Sequence, residues 1–375
     1  MKLQTIEILN FKNIADASLT LSPGLNCFLG LNGMGKSNLL EAIHLLCLAR
    51  AMSPMPESQL IRHGEQLLSV KGTFMMEGDR EEKISAGIVK GKGKSLKHNG
   101  KEYERISQHI GRFPLVCVTP ADAMLVIGPG DGRRRLMDMV ISQADKTYLA
   151  HLIRYNKALE SRNRMLRAGV RDDLLYESVE TGMADAAASI HRARAGWVQK
   201  IAPGLENYYH RIAGNDERAS MTYRSVLNDA SLTDVLNACR SKDIALGYSS
   251  QGIHRDDIAM GLGDYSMRRL GSQGQIKTYN IALRLAIFDF LKEAGGITPI
   301  LLLDDIFDKL DADRVARIIH IVCESDNFSQ IFITDTNRTH LDDIIRHIQD
   351  DTRLFGVENG QFSLIEHNKA TDNAE

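Results

Sequence analysis

Apolar and polar positions alternate in short runs along the first hundred residues, which is strand periodicity. Leu3, Ile6, Ile8 and Phe11 open one strand, residues 25–29 form a mostly apolar run, and residues 67–76 and 84–89 alternate again. Gly91-Lys92-Gly93-Lys94 and Asn99-Gly100 supply hairpin turns between such runs. One helix interrupts them. It begins at Asn38-Leu39-Leu40-Glu41-Ala42-Ile43 and ends near Ser53-Pro54-Met55-Pro56, since two prolines this close cannot continue it. Residues 113–118 read as a buried strand stopped by Pro120. After Gly128-Pro129-Gly130 the period changes. Residues 133–243 are mostly helical in pattern, with turns expected at Gly169, Pro203-Gly204 and Gly214-Asn215, and no heptad repeat is sustained. From about Leu246 strands and helices alternate again, including a helix over 276–291 with Ile281, Leu285, Phe288 and Leu291 facing one way.

Chemistry-bearing motifs sit at the ends of these elements. Gly30-Leu31-Asn32-Gly33-Met34-Gly35-Lys36-Ser37 fits the phosphate-cradling P-loop, with a strand before it and a helix after it. In that pattern backbone N–H groups close around phosphate oxygens, Lys36 reaches the β- and γ-phosphates, and the Ser37 hydroxyl sits on Mg²⁺. ATP with Mg²⁺ is therefore the expected ligand; the alternative is a glycine-rich turn that binds nothing. Pro299-Ile300-Leu301-Leu302-Leu303-Asp304-Asp305 is a buried-strand run that releases two carboxylates at its end. Beside a P-loop this is a Walker B arrangement, with Asp304 on Mg²⁺ and Asp305 where a general base for the attacking water belongs. Alone it would read as a strand and an acidic turn.

Ser272-Gln273-Gly274-Gln275 stands at a helix start, where a serine and backbone N–H groups form an anion site. A second phosphate site in one chain is explained economically by an ABC-type signature, whose serine contacts the γ-phosphate held by the P-loop of another subunit. The tetrapeptide alone is also an ordinary helix cap. Leu310-Asp311 fits an interface-crossing D-loop, and equally an N-cap before Ala312. With the P-loop at one end and Walker B at the other, the ATPase domain is discontinuous. The expected division is 1–122 for its first part, 123–244 for a helical lobe, 245–369 for the second part with signature and Walker B, and 370–375 for a disordered tail.

The chain resembles the RecF family of bacterial recombination-repair ATPases, in the ABC/SMC-like group, nearly end to end. The resemblance rests on Asn10-Phe11-Lys12-Asn13, Pro23-Gly24-Leu25-Asn26, the P-loop and the helix after it, Arg133-Arg134-Arg135, Tyr155 with Arg162-Asn163, His254-Arg255-Asp256-Asp257, Ser272 to Gln275, Leu303-Asp304-Asp305, Leu310-Asp311 and Asn359-Gly360. It implies an α/β fold, an ABC-type P-loop ATPase head (SMC-like) with a mostly helical inserted lobe. It further implies an ATP-dependent homodimer, slow ATP hydrolysis, and binding to duplex or gapped DNA and single-/double-strand junctions. Cooperation with RecO and RecR in loading RecA, in DNA replication, repair and the SOS response, follows from the same resemblance. By analogy with SMC-like ATPases Lys12 approaches the nucleotide phosphates; otherwise it is a solvated lysine. Two departures stand out. Asp305 replaces the glutamate many ABC ATPases carry, and no histidine directly follows strand 330–334, His340 being expected to face elsewhere. Asp335 or Thr336 could sense the γ-phosphate, and Thr119 and Asp122 occupy roughly the glutamine-loop region.

Composition changes this picture little. The 375 residues carry 46 basic and 48 acidic side chains, so a DNA surface must come from local charge segregation. Residues 133–167 hold nine basic against three acidic side chains, and Arg154, Lys157, Arg162 and Arg164 are the candidate DNA contacts. A solvated helix face is the plain alternative, and the hairpin lysines Lys90, Lys92, Lys94 and Lys97 are a rival site. Cys27, Cys47, Cys117, Cys239 and Cys323 form no metal spacing and read as free thiols in a reducing compartment. No apolar stretch approaches a membrane span and the start shows no signal peptide, so a cytoplasmic protein without a membrane partner is expected. The competing class is an ABC-type energy module for a membrane or nuclease partner, without DNA affinity of its own.

Overall fold

The computed structural model describes residues 1–52, 55–308, 310–323, 328–347 and 351–368; the expected helix stop at Ser53-Pro54 and the tail 370–375 lie outside the described residues. Two compact units are present, Met1–Ala121 with Leu291–Glu375, and Asp122–Phe290.

In the first unit an antiparallel sheet begins with the paired strands Ile14–Thr20 and Lys2–Phe11, followed by Leu67–Met75, Glu81–Val89, Gly93–His98 and Lys101–Glu102. A second sheet runs in the order Gln361–Asn368, Thr352–Glu358, Leu25–Leu29, Gln330–Asp335, Ile300–Asp304 and Leu115–Val118. Its inner strands are parallel and apolar on both faces, as strands covered on both sides must be. The helix Lys36–Leu48 touches strands of both sheets, which explains why it is apolar nearly all round rather than striped. Buried Gln330 ties the sheets at one edge: its Oε1 accepts from the Leu3 N–H (2.7 Å), and its Nε2 donates to the carbonyls of Leu3 (2.8 Å) and Ser22 (2.7 Å).

The second unit contains the helices Gly130–Ala144, Lys146–Arg167, Asp173–Ala213 and Leu232–Leu246, with most of the helix Gln273–Gly295. It also contains a three-stranded antiparallel sheet in the order Tyr265–Ser266, Asp257–Leu262, Ala219–Arg224. Strand Ala219–Arg224 falls inside the stretch expected to be helical. By pairing with Asp257–Leu262 it holds the following chain in this unit, so the expected division near 244 is corrected to Phe290. Ser272 to Gln275 therefore belong with the helices. The turn expected at Pro203-Gly204 is likewise corrected: both residues lie inside the 41-residue helix Asp173–Ala213. Pro203 faces solvent, and Gly204 lets the helix Gln273–Gly295 approach, since a Cβ there would meet Ala286 Cβ at 3.2 Å.

Two arginines of the basic stretch 133–167, Arg133 and Arg162, lie inside rather than on the surface. Arg162 is fully buried; its Nε donates to Glu180 (2.7 Å) and its Nη1 to Asp243 (2.7 Å) and Ser249 (2.7 Å). It cannot meet a phosphate, and its assignment as a DNA contact is withdrawn. Arg133 forms a bidentate pair with Asp257 at 2.6 and 2.9 Å. Arg194 joins Asp138 and Asp256, both at 2.8 Å. His254 donates from Nε2 to the Ser249 carbonyl (3.0 Å) and accepts from the Tyr155 hydroxyl at Nδ1 (2.8 Å). Burial pushes its imidazolium pKa down to about 4, so the ring is neutral at physiological pH.

Arg162→Ala leaves Asp243 buried without its cation, while Glu180 keeps Arg240 at 2.7 Å. Unfolding by denaturant should show a loss of about 3–5 kcal/mol. Arg164→Ala, on the exposed side of the same helix, should stay within about 0.5 kcal/mol.

Candidate functional site

The P-loop leaves the carboxyl end of strand Leu25–Leu29 and enters the helix Lys36–Leu48. Its shape is imposed by what surrounds it. A Cβ on Gly30 would stand 2.4 Å from the Val357 carbonyl oxygen, so only glycine fits there. Gly35 has φ +115°, a left-handed value open to glycine. The Asn13 side chain donates to the Gly33 carbonyl (3.2 Å) and accepts from Asn38 (2.7 Å), and the Gly360 N–H donates to the Met34 carbonyl (2.7 Å). No side chain caps the N-terminus of helix Lys36–Leu48, so its first N–H groups point at the space within the loop. Lys36 Nζ, almost fully buried, donates to the carbonyls of Gly30 (2.8 Å) and Leu31 (3.2 Å) and lies 3.9 Å from Asp305 Oδ1.

Sheet register brings the acids to this point. Strand Gln330–Asp335 lies between the P-loop strand and strand Ile300–Asp304, pairing Thr334 with Phe28 on one side and with Asp304 on the other. Asp304 Oδ1 accepts from both Ser37 Oγ (2.9 Å) and Thr334 Oγ1 (2.7 Å). Thr334 Oγ1 also accepts the Asp305 N–H at 3.0 Å. That bond holds Asp305 in the left-handed region, φ +44°, a strained conformation for a non-glycine residue that turns its carboxylate toward Lys36. Burial raises the pKa of both Asp304 and Asp305; the hydrogen bonds from Thr334 and Ser37 offset part of this at Asp304, and the Lys36 charge offsets part at Asp305.

Among the described residues no three His, Cys, Asp or Glu side chains gather as a metal cage. The donors fit Mg²⁺ of the P-loop kind, which takes a hydroxyl, one carboxylate, waters and phosphate oxygens. Ser37 and Asp304 would hold it.

Sequence reasoning gives the positions of three further residues at this site no part in it. Thr334 is the link between both acids and the P-loop serine; only its register reveals it. Glu41, an acid inside an apolar helix, pairs with Lys12 Nζ and accepts the Met52 N–H (3.3 Å). Lys12 thus lies in an ion pair at the loop's flank. His340, expected to face elsewhere, turns back: its Nδ1 lies 2.8 Å from Asp335 Oδ2 and its ring meets Phe307 edge-on. Asp335 also caps the Asn337 N–H (2.9 Å), while Thr336 is exposed. Asp311 accepts the Arg314 N–H (2.9 Å), so it does cap the helix Ala312–Cys323.

In the second unit, Ser272 starts the helix Gln273–Gly295 with a reciprocal cap. Its N–H donates to Gln275 Oε1 (2.9 Å), and the Gln275 N–H donates to Ser272 Oγ (3.2 Å). Ser272 and Gln273 are exposed; Gly274 and Gln275 are half-buried. Asp122 is engaged by the same helix, in a bidentate pair with Arg284 at 2.7 and 3.2 Å. Of the four candidate DNA contacts, Arg154, Lys157 and Arg164 are exposed along helix Lys146–Arg167. On the hairpin, Lys90, Lys92 and Lys97 are exposed, whereas Lys94 is tied to Glu57 and the Ala49 carbonyl.

Comparisons with known proteins show the family and the fold. Residues 2–360 match the family described as RecF/RecN/SMC N terminal domain. A DNA replication and repair protein RecF of Parabacteroides distasonis is 47% identical over 98% of this chain and 100% of its own length. The RecF of Phocaeicola vulgatus is 46% identical over 96% of this chain and 98% of its own. A structure of the recombination mediator protein RecF with ATP, in the RecFOR pathway, superposes with a TM-score of 0.87 at 28% identity, covering 97% of this chain and 98% of that one. An Smc head bound to the C-winged helix domain of ScpA shares the fold, with a TM-score of 0.58 at 14% identity, covering 99% and 98%.

Lys36→Met removes the ammonium held by the loop carbonyls of Gly30 and Leu31 while leaving the loop backbone braced by Asn13 and Gly360. Equilibrium binding should show tight ATP affinity lost, by two orders of magnitude or more, about 3 kcal/mol. Wild-type affinity in this variant would remove the phosphate site from the loop.

Proposed function

Because the chain belongs to the RecF/RecN/SMC N-terminal-domain family, and within it to the RecF DNA replication and repair proteins, we propose that it is an ATPase that dimerises on ATP and acts on DNA at gaps and single-/double-strand junctions. The observation that carries the reading is the meeting of Ser37 and Asp304 at 2.9 Å, with Lys36 and Asp305 beside them. Lys36 and the free N–H groups of the helix start bind phosphate oxygens. Mg²⁺, when bound, supplies charge neutralisation between the phosphates. Asp305 takes the proton of the attacking water; its raised pKa and its position beside Lys36 suit a general base. It is one methylene shorter than glutamate, and turnover is correspondingly slow.

Ser272 is assigned to the γ-phosphate bound by the partner subunit, so two ATP molecules lie in one two-fold interface and ADP does not hold it closed. Asp311 lies at the same interface as part of the D-loop. Lys12 is released from Glu41 toward the nucleotide. Arg154, Lys157 and Arg164 contact DNA phosphates. RecO and RecR are the partners in loading RecA, and the setting is the cytoplasm; among the described residues no helix is long and apolar enough to cross a membrane. An energy module for a membrane or nuclease partner is disfavoured by identity to RecF proteins of 46–47% over nearly the whole chain.

Sedimentation with ATP tests the dimer. Asp305→Asn should stop hydrolysis and leave a persistent dimer, while Ser272→Arg should bind ATP as a monomer and fail to dimerise. A Ser272→Arg protein that dimerises normally removes the trans role of the signature.

DNA binding measured against salt tests the surface. Replacing Arg154, Lys157 and Arg164 with Ala should reduce the slope of log K on log salt by about 0.9 for each duplex phosphate left without its cation. An unchanged slope would move the DNA surface to Lys90, Lys92 and Lys97.

A further inference from the structure

The Ser272 cap depends on a side chain that can point either way. Gln275 carries an acceptor and a donor on one amide, and a 180° turn exchanges them. In the observed orientation Oε1 faces the Ser272 N–H (2.9 Å) and Nε2 faces Glu217 Oε1 (2.8 Å). Glu217 is acceptor-only when ionised, so it selects the orientation in which the acceptor of Gln275 is turned to Ser272.

Glu217 is itself held. The hydroxyl of Tyr209, buried at the end of helix Asp173–Ala213, donates to Glu217 Oε2 at 2.9 Å. The Glu217 N–H donates to Asn215 Oδ1 at 3.3 Å. The strand Ala219–Arg224 that follows this turn meets the same helix again, where the Tyr279 hydroxyl donates to the Ser220 carbonyl at 2.6 Å. Packing does not do this job for Gln275: with Glu217 it lines an open cavity of about 650 Å³, so a released side chain has room to turn.

The consequence falls on the Ser272 hydroxyl. With Gln275 in place, its backbone N–H is bonded to Ser272 Oγ at 3.2 Å, which occupies an acceptor position of the hydroxyl and leaves its proton free to donate elsewhere. Such a hydroxyl at an exposed helix start can donate to an anion. Turned over, the amide would set Nε2 against the Ser272 N–H, donor against donor, and the first turn would have to open.

From this we infer that Glu217 is a positioning residue for the signature: through Gln275 it holds Ser272 in the one geometry that donates to the γ-phosphate of the partner subunit's nucleotide. The inference rests on the trans reading of Ser272 given above. In this role Glu217 affects dimerisation and leaves the ATP affinity of the monomer unchanged.

The test uses the full chain and ATP itself, comparing monomer ATP affinity, thermal midpoint and the ATP-driven dimer constant. Glu217→Ala should leave the first two at wild-type values and weaken the dimer about tenfold for each of the two composite sites, the worth of a charge-assisted hydrogen bond. Glu217→Gln, whose own Oε1 still accepts from Gln275, should stay within about twofold. Glu217→Lys offers a donor and selects the inverted amide, so it should be weaker than Glu217→Ala. If Glu217→Ala lowers the thermal midpoint, Tyr209→Phe carries the test, with a smaller loss in the same direction expected. Wild-type dimerisation in Glu217→Ala or, where that variant is destabilised, in Tyr209→Phe overturns the inference. Equal losses in Glu217→Ala and Glu217→Gln overturn it as well. When Ser272→Arg fails to dimerise in parallel, the trans reading stands and only the positioning role falls; when Ser272→Arg also dimerises normally, both fall together.

Discussion

A single buried oxygen, Asp304 Oδ1, joins the parts of this molecule that chemistry requires to be together. It accepts from the P-loop serine at 2.9 Å and from Thr334 at 2.7 Å, so two adjacent strands and one helix start converge on it. A carboxylate taken this far from water must be compensated, and two hydroxyl donors supply the compensation. Thr334 then passes the constraint to Asp305 through that residue's N–H. The left-handed turn at Asp305 is tolerated because the strand before it is wholly buried and cannot shift. Shape at the P-loop has a similar origin: Gly30 is glycine because the Val357 carbonyl of a neighbouring strand leaves no room for a Cβ.

The helical unit is organised by buried guanidinium groups rather than by an apolar core alone. Arg162, Arg194 and Arg133 each bridge segments far apart in the chain, and each finds carboxylates that would be costly to bury alone. The planar fork of arginine suits this task, since several donors leave it in fixed directions. The His254-Arg255-Asp256-Asp257 segment takes part in the same frame: Asp256 and Asp257 accept from Arg194 and Arg133, and His254 is a neutral linker between Tyr155 and Ser249. A charge cluster counted along the sequence therefore overstates the surface charge available to DNA.

The tetrapeptide Ser272 to Gln275 is fixed only in part by its own four residues. Ser272 and Gln275 cap one another, an arrangement common to many helices. Orientation within that cap comes from Glu217, on a turn between a long helix and a strand that the helical pattern concealed. The role proposed for this cap would be shared by a local serine and a distant acid, coupled by one amide.

Local order along the chain determined the elements that need only neighbours. Strand Leu25–Leu29, the helix that follows the glycine-rich loop, strand Ile300–Asp304 and the helix Gln273–Gly295 were all legible, because apolar period and terminal residue chemistry are short-range. The P-loop and Walker B residues were legible for the same reason, each lying at the carboxyl end of its own apolar run. Tertiary structure alone decided which charges are surface and which are frame, as Arg162 and Arg164 illustrate two residues apart on one helix. It also decided that Pro203-Gly204 continue a helix, that the signature folds with the helical unit, and that Thr334 and Glu217 serve residues far from them in sequence. Those outcomes depend on strand register and on partners from distant segments, and the free energy of burying a charge is set by the partner it meets rather than by the residues beside it.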